Sequence, residues 1–315
     1  MSAPSYLEMA VVGLLQGVSE LFPVSSLGHS VLLPALIGGH WATDLDMSTQ
    51  GSAYLDTLVA MHVATAAALV IFFWRDWVRI VGGLLTSVRD RRIATPDQRL
   101  AWLLVAGTIP VGIGGLVLDK FMREHLGKPV PAAAFLLLNG VILFAVERLY
   151  RRQRRAARDP EATMVMSAAP TEAMATVPSE VASDVRLSKL GVWEAVGVGA
   201  SQILALLPGI SRSGATIAGG LLRGLRHDDA ARFAFLLATP AIAGAGLLKL
   251  PELARPEMHD AIGPTIVGSV IAGVAAYISV RFLVRYFETR TLTPFAIYCV
   301  LAGLGCLGYF ALVQP

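Results

Sequence analysis

The chain alternates between long apolar runs and short polar stretches that are mostly basic. Apolar runs lie near 57–74, 100–118, 132–149, 232–250, 263–283 and 293–313. Each is close to the ~20 residues a helix needs to cross a bilayer. The short two-residue alternation of an outer-membrane barrel is absent. Backbone in lipid must satisfy its own hydrogen bonds, so the pattern predicts an all-α polytopic membrane protein with about six transmembrane helices. Two more apolar stretches, 5–40 and 191–222, are broken midway by Pro, Gly and Ser, in LFPVSSLGHS and LLPGISRSGAT. Proline removes a donor and ends a helix, and such a break is tolerated at membrane depth only where protein or a water-filled cavity surrounds it. Both stretches therefore read as re-entrant helix–loop–helix hairpins.

Charge orients these elements. Two loops are strongly basic: one is Arg75 to Arg99, and the other begins RLYRRQRRAAR at Arg148. The positive-inside rule puts both in the cytoplasm, and DKFMREHLGK from Asp119, one span away from each, outside. Residues 156–188 are polar and rich in Ala, Ser, Thr and Pro, which predicts a flexible cytoplasmic linker. The linker splits a single membrane domain, 1–315, into repeats 1–155 and 189–315. The halves align without gaps: Glu8 falls on Glu194, Gly13 on Gly199, Gln16 on Gln202, Ser25 on Ser211 and Gly28 on Gly214. Glu8 and Glu194 are expected at the hairpin mouths. With RGLRHDDAAR from Arg223 and RYFETR from Arg285 also inside, the two hairpins enter from opposite faces. That is an inverted-topology repeat whose breaks meet near the midplane.

Composition narrows the class. Of 315 residues, 55% are hydrophobic and 16% charged, against roughly 25% charged in soluble domains. The net charge of +3 sits in the loops and speaks for topology, not for a nucleic-acid partner. Cys299 and Cys306 lie in one span, two helical turns apart, too far for a disulfide and without metal-type spacing. The start carries Glu8 and no preceding basic run, so it reads as a hairpin arm and not as a cleaved leader.

The chemistry-bearing positions concentrate in the two breaks. Gln16 and Glu20 share a helix face, as do Ser26 and His29. The second break offers Ser211, Arg212, Ser213 and Thr216 at the opening of a helix. A helix N-terminus is a ready anion site, and an adjacent arginine adds planar donors suited to phosphate. Ionisable residues at membrane depth are costly and functional by default. His62 and Asn139, inside spans, read as interhelical hydrogen bonders. Inverted repeats with broken helices are also typical of transporters, so a lipid transporter or flippase stands as the alternative reading.

The stretches QGVSELFPVSSLGH and PGISRSGAT resemble the two signature motifs of the undecaprenyl pyrophosphate phosphatases, also called bacitracin-resistance phosphatases. The resemblance implies hydrolysis of undecaprenyl pyrophosphate to the monophosphate and phosphate, recycling the lipid carrier of cell-wall synthesis. It implies a multi-pass protein of the bacterial plasma membrane with its active site facing the outer side. A divalent cation, Mg²⁺ or Ca²⁺, is implied, with Glu20 and Gln16 as its candidate ligands; Gln16 replaces the commoner Glu. Catalysis is expected from Glu20, Ser26, His29 and Arg212, with Ser26, His29 or water as nucleophile. Phosphate contacts are expected from Ser25, Ser211, Arg212, Ser213, Gly214 and Thr216. The lipid substrate and the bilayer are the expected partners, with room for a homodimer.

Overall fold

The computed structural model describes residues 4–47, 53–156, 179–249 and 256–313, and these form helices and connecting turns. Among the described residues six helices are long and apolar enough to cross a membrane: α4 (Ala53–Phe72), α6 (Pro96–Leu126), α7 (Pro129–Ala156), α11 (His227–Lys249), α12 (Ile262–Thr289) and α13 (Thr293–Val313). They coincide with the six apolar runs. The most enclosed is α11, which packs against α4, α6 and α12. The faces of the outer spans that point away from the protein stay apolar, with Ile109, Ile113 and Leu116 of α6 exposed. Against lipid such exposure carries no penalty, because acyl chains are as apolar as the side chains.

Each broken stretch folds as helix, loop, helix. The first is α1 (Tyr6–Ser19), a loop, then α2 (Ser26–Ile37). A short α3 (His40–Asp44) follows. The second is α9 (Val192–Ala200), a 3₁₀ turn at Ser201–Leu206, a loop, then α10 (Arg212–Leu222). Residues paired by the sequence repeat do the same local work. Glu8 accepts from Ser5 N at 2.7 Å, and Glu194 accepts from Gly191 N at 2.8 Å, each closing the first turn of its hairpin. Gly13 presses against the backbone of Gly268 on α12, and Gly199 against that of Gly107 on α6. A Cβ at either position would overlap the facing carbonyl, so the first arm of each hairpin lies backbone to backbone on a span.

Two sequence expectations change. The basic stretch after α4 is a helix, α5 (Trp74–Asp90), not a loop. Trp74, Val78, Val81, Leu85 and Val88 form an exposed stripe at helical spacing, while Ile80, Gly83 and Ser87 face the protein. This is the pattern of a helix lying in the membrane interface, and the arginine count masked its period. The linker also ends earlier than position 188. Helix α8 (Ser179–Leu187) is packed, with Ser183, Asp184 and Leu187 buried. The rest of the predicted linker, 157–178, lies outside the described residues.

Buried charge holds α8 in place. Asp184 accepts from Arg232 of α11 at 2.8 and 3.0 Å and from Arg79 of α5 at 2.6 Å. Arg232 also pairs with Asp76 at 2.9 Å, and Arg186 with Asp229 at 2.7 Å. Removing one member of such a network leaves an unpaired buried charge. Asp184→Ala is expected to destabilise the protein by about 3–5 kcal/mol. A fall in the thermal midpoint in detergent checks this, and Asp184→Asn should fall less because it keeps one acceptor.

Candidate active site

The two loops meet, and a helix from between them ties the contact. Asn139 of α7 donates to Pro23 O and accepts from Ser211 N, both at 3.1 Å. Ser213 Oγ donates to Phe22 O at 3.1 Å and lies 3.0 Å from Ser211 Oγ. Ser25 Oγ accepts from Gly28 N and from Gly209 N across the junction, both at 3.2 Å. Ser25 and Ser211, matched in the sequence repeat, are thus the N-caps of α2 and α10. Ser25 has φ +72°, a left-handed conformation that costs a non-glycine residue on the order of 1–3 kcal/mol. That strain sits next to Ser26 and aims the start of α2 at the end of α1.

Glu20 is the hub. It caps α1 and is buried, and four side chains from four elements converge on its carboxylate. Arg212 of α10 pairs with Oε1. On Oε2, Gln16 Nε2 donates at 3.0 Å, Ser26 Oγ donates in a short hydrogen bond, and His62 Nε2 of α4 lies 3.3 Å away. A carboxylate this deep needs such partners, since an isolated buried charge is prohibitively costly. The arrangement aligns three groups: an acceptor on the hydroxyl of Ser26, a guanidinium beside it, and the N-terminus of α10. In the first turn of α10, Gly214 N is taken by Ser211 Oγ at 3.1 Å. The amides of Arg212 and Ser213 have no intrahelical acceptor, as at any helix start, which is the arrangement that suits an anion.

The structure brings together Gln16, Glu20, Ser26 and Arg212, and beside them Ser25, Ser211 and Ser213. It sets His29 and Thr216 apart. His29 Nδ1 donates to Ser25 O at 2.6 Å, and its Nε2 faces Tyr298 OH at 2.7 Å, with the two rings stacked. Neither nitrogen faces Glu20 or Ser26. Thr216 Oγ1 donates to Arg212 O at 2.7 Å, one turn back in its own helix. Thr216→Val is accordingly expected to cost about 1 kcal/mol of stability or less and to retain phosphate release, measured side by side with wild type.

His62, expected as an interhelical contact, does reach from α4 to another helix, and the group it meets is the Glu20 carboxylate at the end of α1. Its Nδ1 donates to Leu58 O at 2.7 Å, which leaves Nε2 directed at Glu20. Its one signal in the sequence was a histidine in an otherwise apolar span.

For a divalent cation the donor set is small but oriented. Gln16 is fully buried, and its Oε1 has no hydrogen-bond partner. With Glu20 it offers two oxygens on one face. Among the described residues no cluster of three His, Cys, Asp or Glu side chains stands ready for a metal. The set fits a cation that takes most of its ligands from water and phosphate oxygens, as Mg²⁺ commonly does.

Comparison with known proteins identifies the lineage. The family described as bacitracin resistance protein BacA matches residues 9–305, nearly the whole chain and both broken hairpins. The chain belongs to this family. Within it, the chain is 58% identical to an undecaprenyl-diphosphatase of Mycolicibacterium paratuberculosis, over 98% of each chain. It is 48% identical to undecaprenyl-diphosphatase 1 of Frankia casuarinae, over 99% of this chain and 100% of that one. It is 41% identical to undecaprenyl-diphosphatase 1 of Burkholderia pseudomallei, over 96% of each. Membership in the bacitracin-resistance family and the six long apolar helices together make this a multi-pass membrane protein.

Proposed function

We propose that this chain is an undecaprenyl-diphosphatase: it hydrolyses undecaprenyl pyrophosphate to undecaprenyl phosphate and inorganic phosphate, returning the carrier to cell-wall synthesis. The observation that carries this reading is the convergence of Ser26, Glu20 and Arg212 at the junction of the two loops. Full-length similarity to proteins of that name supports it.

Phosphoryl transfer asks for charge neutralisation and an in-line nucleophile. Arg212 and the amides of Arg212 and Ser213 bind the terminal phosphate. Ser26 Oγ attacks its phosphorus and passes its proton to Glu20. The bond to the bridging oxygen breaks, and undecaprenyl phosphate leaves, taking the proton from Glu20 on its departing oxygen and so restoring the carboxylate. Water then attacks the phosphoserine, with Glu20 as base, releasing phosphate and restoring the hydroxyl. His62, in contact with the same carboxylate, keeps Glu20 in position when Arg212 turns toward substrate. His29 positions α2 through Ser25 and Tyr298. A bound Mg²⁺ or Ca²⁺ would be held by Glu20 and Gln16 Oε1, and would neutralise charge on the pyrophosphate oxygens.

The same reading places both hairpins as re-entrant elements of an inverted repeat in the plasma membrane, with the site open to the outer face. The matched roles of Glu8 with Glu194, Gly13 with Gly199 and Ser25 with Ser211 support the repeat. The basic stretches near Arg75, Arg148, Arg223 and Arg285 support the orientation. Phosphate release from undecaprenyl pyrophosphate by purified protein, with and without EDTA, is the test. Metal-dependent release that vanishes in Arg212→Ala is the expected result. No release from folded wild type across several divalent metals would overturn the hydrolase and favour the flippase.

A further inference from the structure

Away from the loop junction, the C-terminal end of α12, the N-terminal end of α13 and the end of α7 enclose an open cleft of about 1020 Å³. Arg151, Arg281, Arg285 and Arg290 line it, together with Phe282 and Tyr286. Arg151 is already committed, donating to Glu147 at 2.8 Å and to Thr291 and Thr293 at 3.3 Å. Arg281, Arg285 and Arg290 are exposed and make no ion pair with any carboxylate among the described residues. The nearest buried acid, Glu147, is held by Arg151 and His227. Three guanidiniums lining one cleft and held in no ion pair repel one another, and a shared anion relieves that repulsion. Phosphate is the anion their planar donors match best.

The cleft does not stand alone. Ile266, Val270, Val274, Ile278 and Phe282 succeed one another at four-residue spacing along α12, all exposed, 50% to 63%. They form one apolar track along the span, and it ends at the arginines. A free phosphate would use only the basic end; a phosphate joined to an acyl chain uses both. The positive-inside rule puts this end of α12 at the cytoplasmic surface, where basic pockets between spans receive acidic head groups.

We propose that this cleft is a binding site for an anionic glycerophospholipid of the inner leaflet, with its phosphate on Arg281, Arg285 and Arg290 and an acyl chain along the α12 track. The cleft connects to the loop junction through packed rings. Phe282, in the cleft wall, stacks on Phe22 with centroids 5.8 Å apart, and the carbonyl of Phe22 accepts from Ser213.

The site is tested on the purified full chain by native mass spectrometry, titrating a phosphatidylglycerol against a phosphatidylcholine of the same chains. Wild type is expected to retain phosphatidylglycerol with about tenfold or greater preference, and Arg281→Ala/Arg285→Ala to lose that preference. Arg89→Ala/Arg91→Ala, two exposed arginines elsewhere on the basic surface, should retain it. Arg290→Ala gives an intermediate loss and serves if the double variant fails to fold. Equal retention by wild type and the cleft variants overturns the site. So does equal loss in the Arg89/Arg91 control. Displacement by millimolar inorganic phosphate would make it a phosphate site, and displacement by an equimolar polyprenyl pyrophosphate a substrate site; either overturns the proposal. The readout is lipid retention, so it stands or falls independently of phosphatase activity.

Discussion

Glu20→Gln is expected to lower the turnover of undecaprenyl pyrophosphate by about a thousandfold, within the range for loss of a positioned general base. The argument rests on what the carboxylate holds. Its Oε2 accepts the Ser26 hydroxyl, and its Oε1 pairs with Arg212. An amide at this position keeps the shape and one acceptor but cannot take the proton of Ser26. It also releases Arg212 from its ion pair. The freed guanidinium is then more available to the terminal phosphate, so KM should stay level or fall while kcat collapses. That split separates a lost base from a lost binding site. Steady-state kinetics over a range of substrate concentrations measures both parameters. A parallel rise in KM with kcat intact would assign Glu20 to binding instead.

The hub also explains how much of this site could be read without coordinates. Glu20, Ser26 and Arg212 were legible because each lies in a short motif broken by Pro and Gly, where a charge or hydroxyl inside lipid has few structural excuses. Helical spacing put Gln16 on the face of Glu20, one turn before it, and its candidate ligand role came from the motif resemblance. His62 was not legible as a partner of Glu20. It lies on a different span, and nothing local to its segment says which neighbour its ring will meet; that depends on how α4 packs against α1. Asn139 was read as an interhelical hydrogen bonder, and it is one. The surprise is that its partners are the two loop backbones, Pro23 and Ser211. His29 shows the reverse failure. Motif spacing placed it on the face of Ser26, but both its nitrogens turn to Ser25 and Tyr298. Spacing along a helix fixes which side a residue is on, not which rotamer its surroundings select.

The fold divides the same way. The six spans follow directly from run length, because the bilayer sets one length for all of them. Helix α5 was hidden because its exposed stripe of Trp74, Val78, Val81, Leu85 and Val88 is interleaved with arginines, and a count of charge erases a periodic pattern. Helix α8 was hidden because its fold is fixed from outside. Asp184 and Arg186 are polar residues in a polar stretch until Arg232, Arg79 and Asp229 are placed around them.

Ser26→Ala is the second large effect, and it decides the course of the reaction. With Ser26 as nucleophile, its removal should lower phosphate release by about a thousandfold or more, because the covalent route is lost. Acid-quenched wild type given substrate labelled in the terminal phosphate should carry a stable phosphoserine, and Ser26→Ala should carry none. The geometry favours this over the alternatives. Ser26 is the hydroxyl donating to Glu20, whereas both nitrogens of His29 are occupied. Substituting His29 should therefore leave the phosphoserine label and reduce turnover only through the position of α2. Direct attack by water predicts otherwise: Ser26→Ala would keep most of its activity, and no label would form in wild type. An acid-labile, base-stable label that persists in Ser26→Ala and vanishes in His29→Ala would transfer the nucleophile to histidine. Glu20→Gln separates the steps further. If Glu20 serves as base in both, the variant makes label slowly and hydrolyses it slowly, so single-turnover traces should show both phases slowed. Slowing confined to label formation would assign the second proton to another group, and His62, in contact with the same carboxylate, is the first to test.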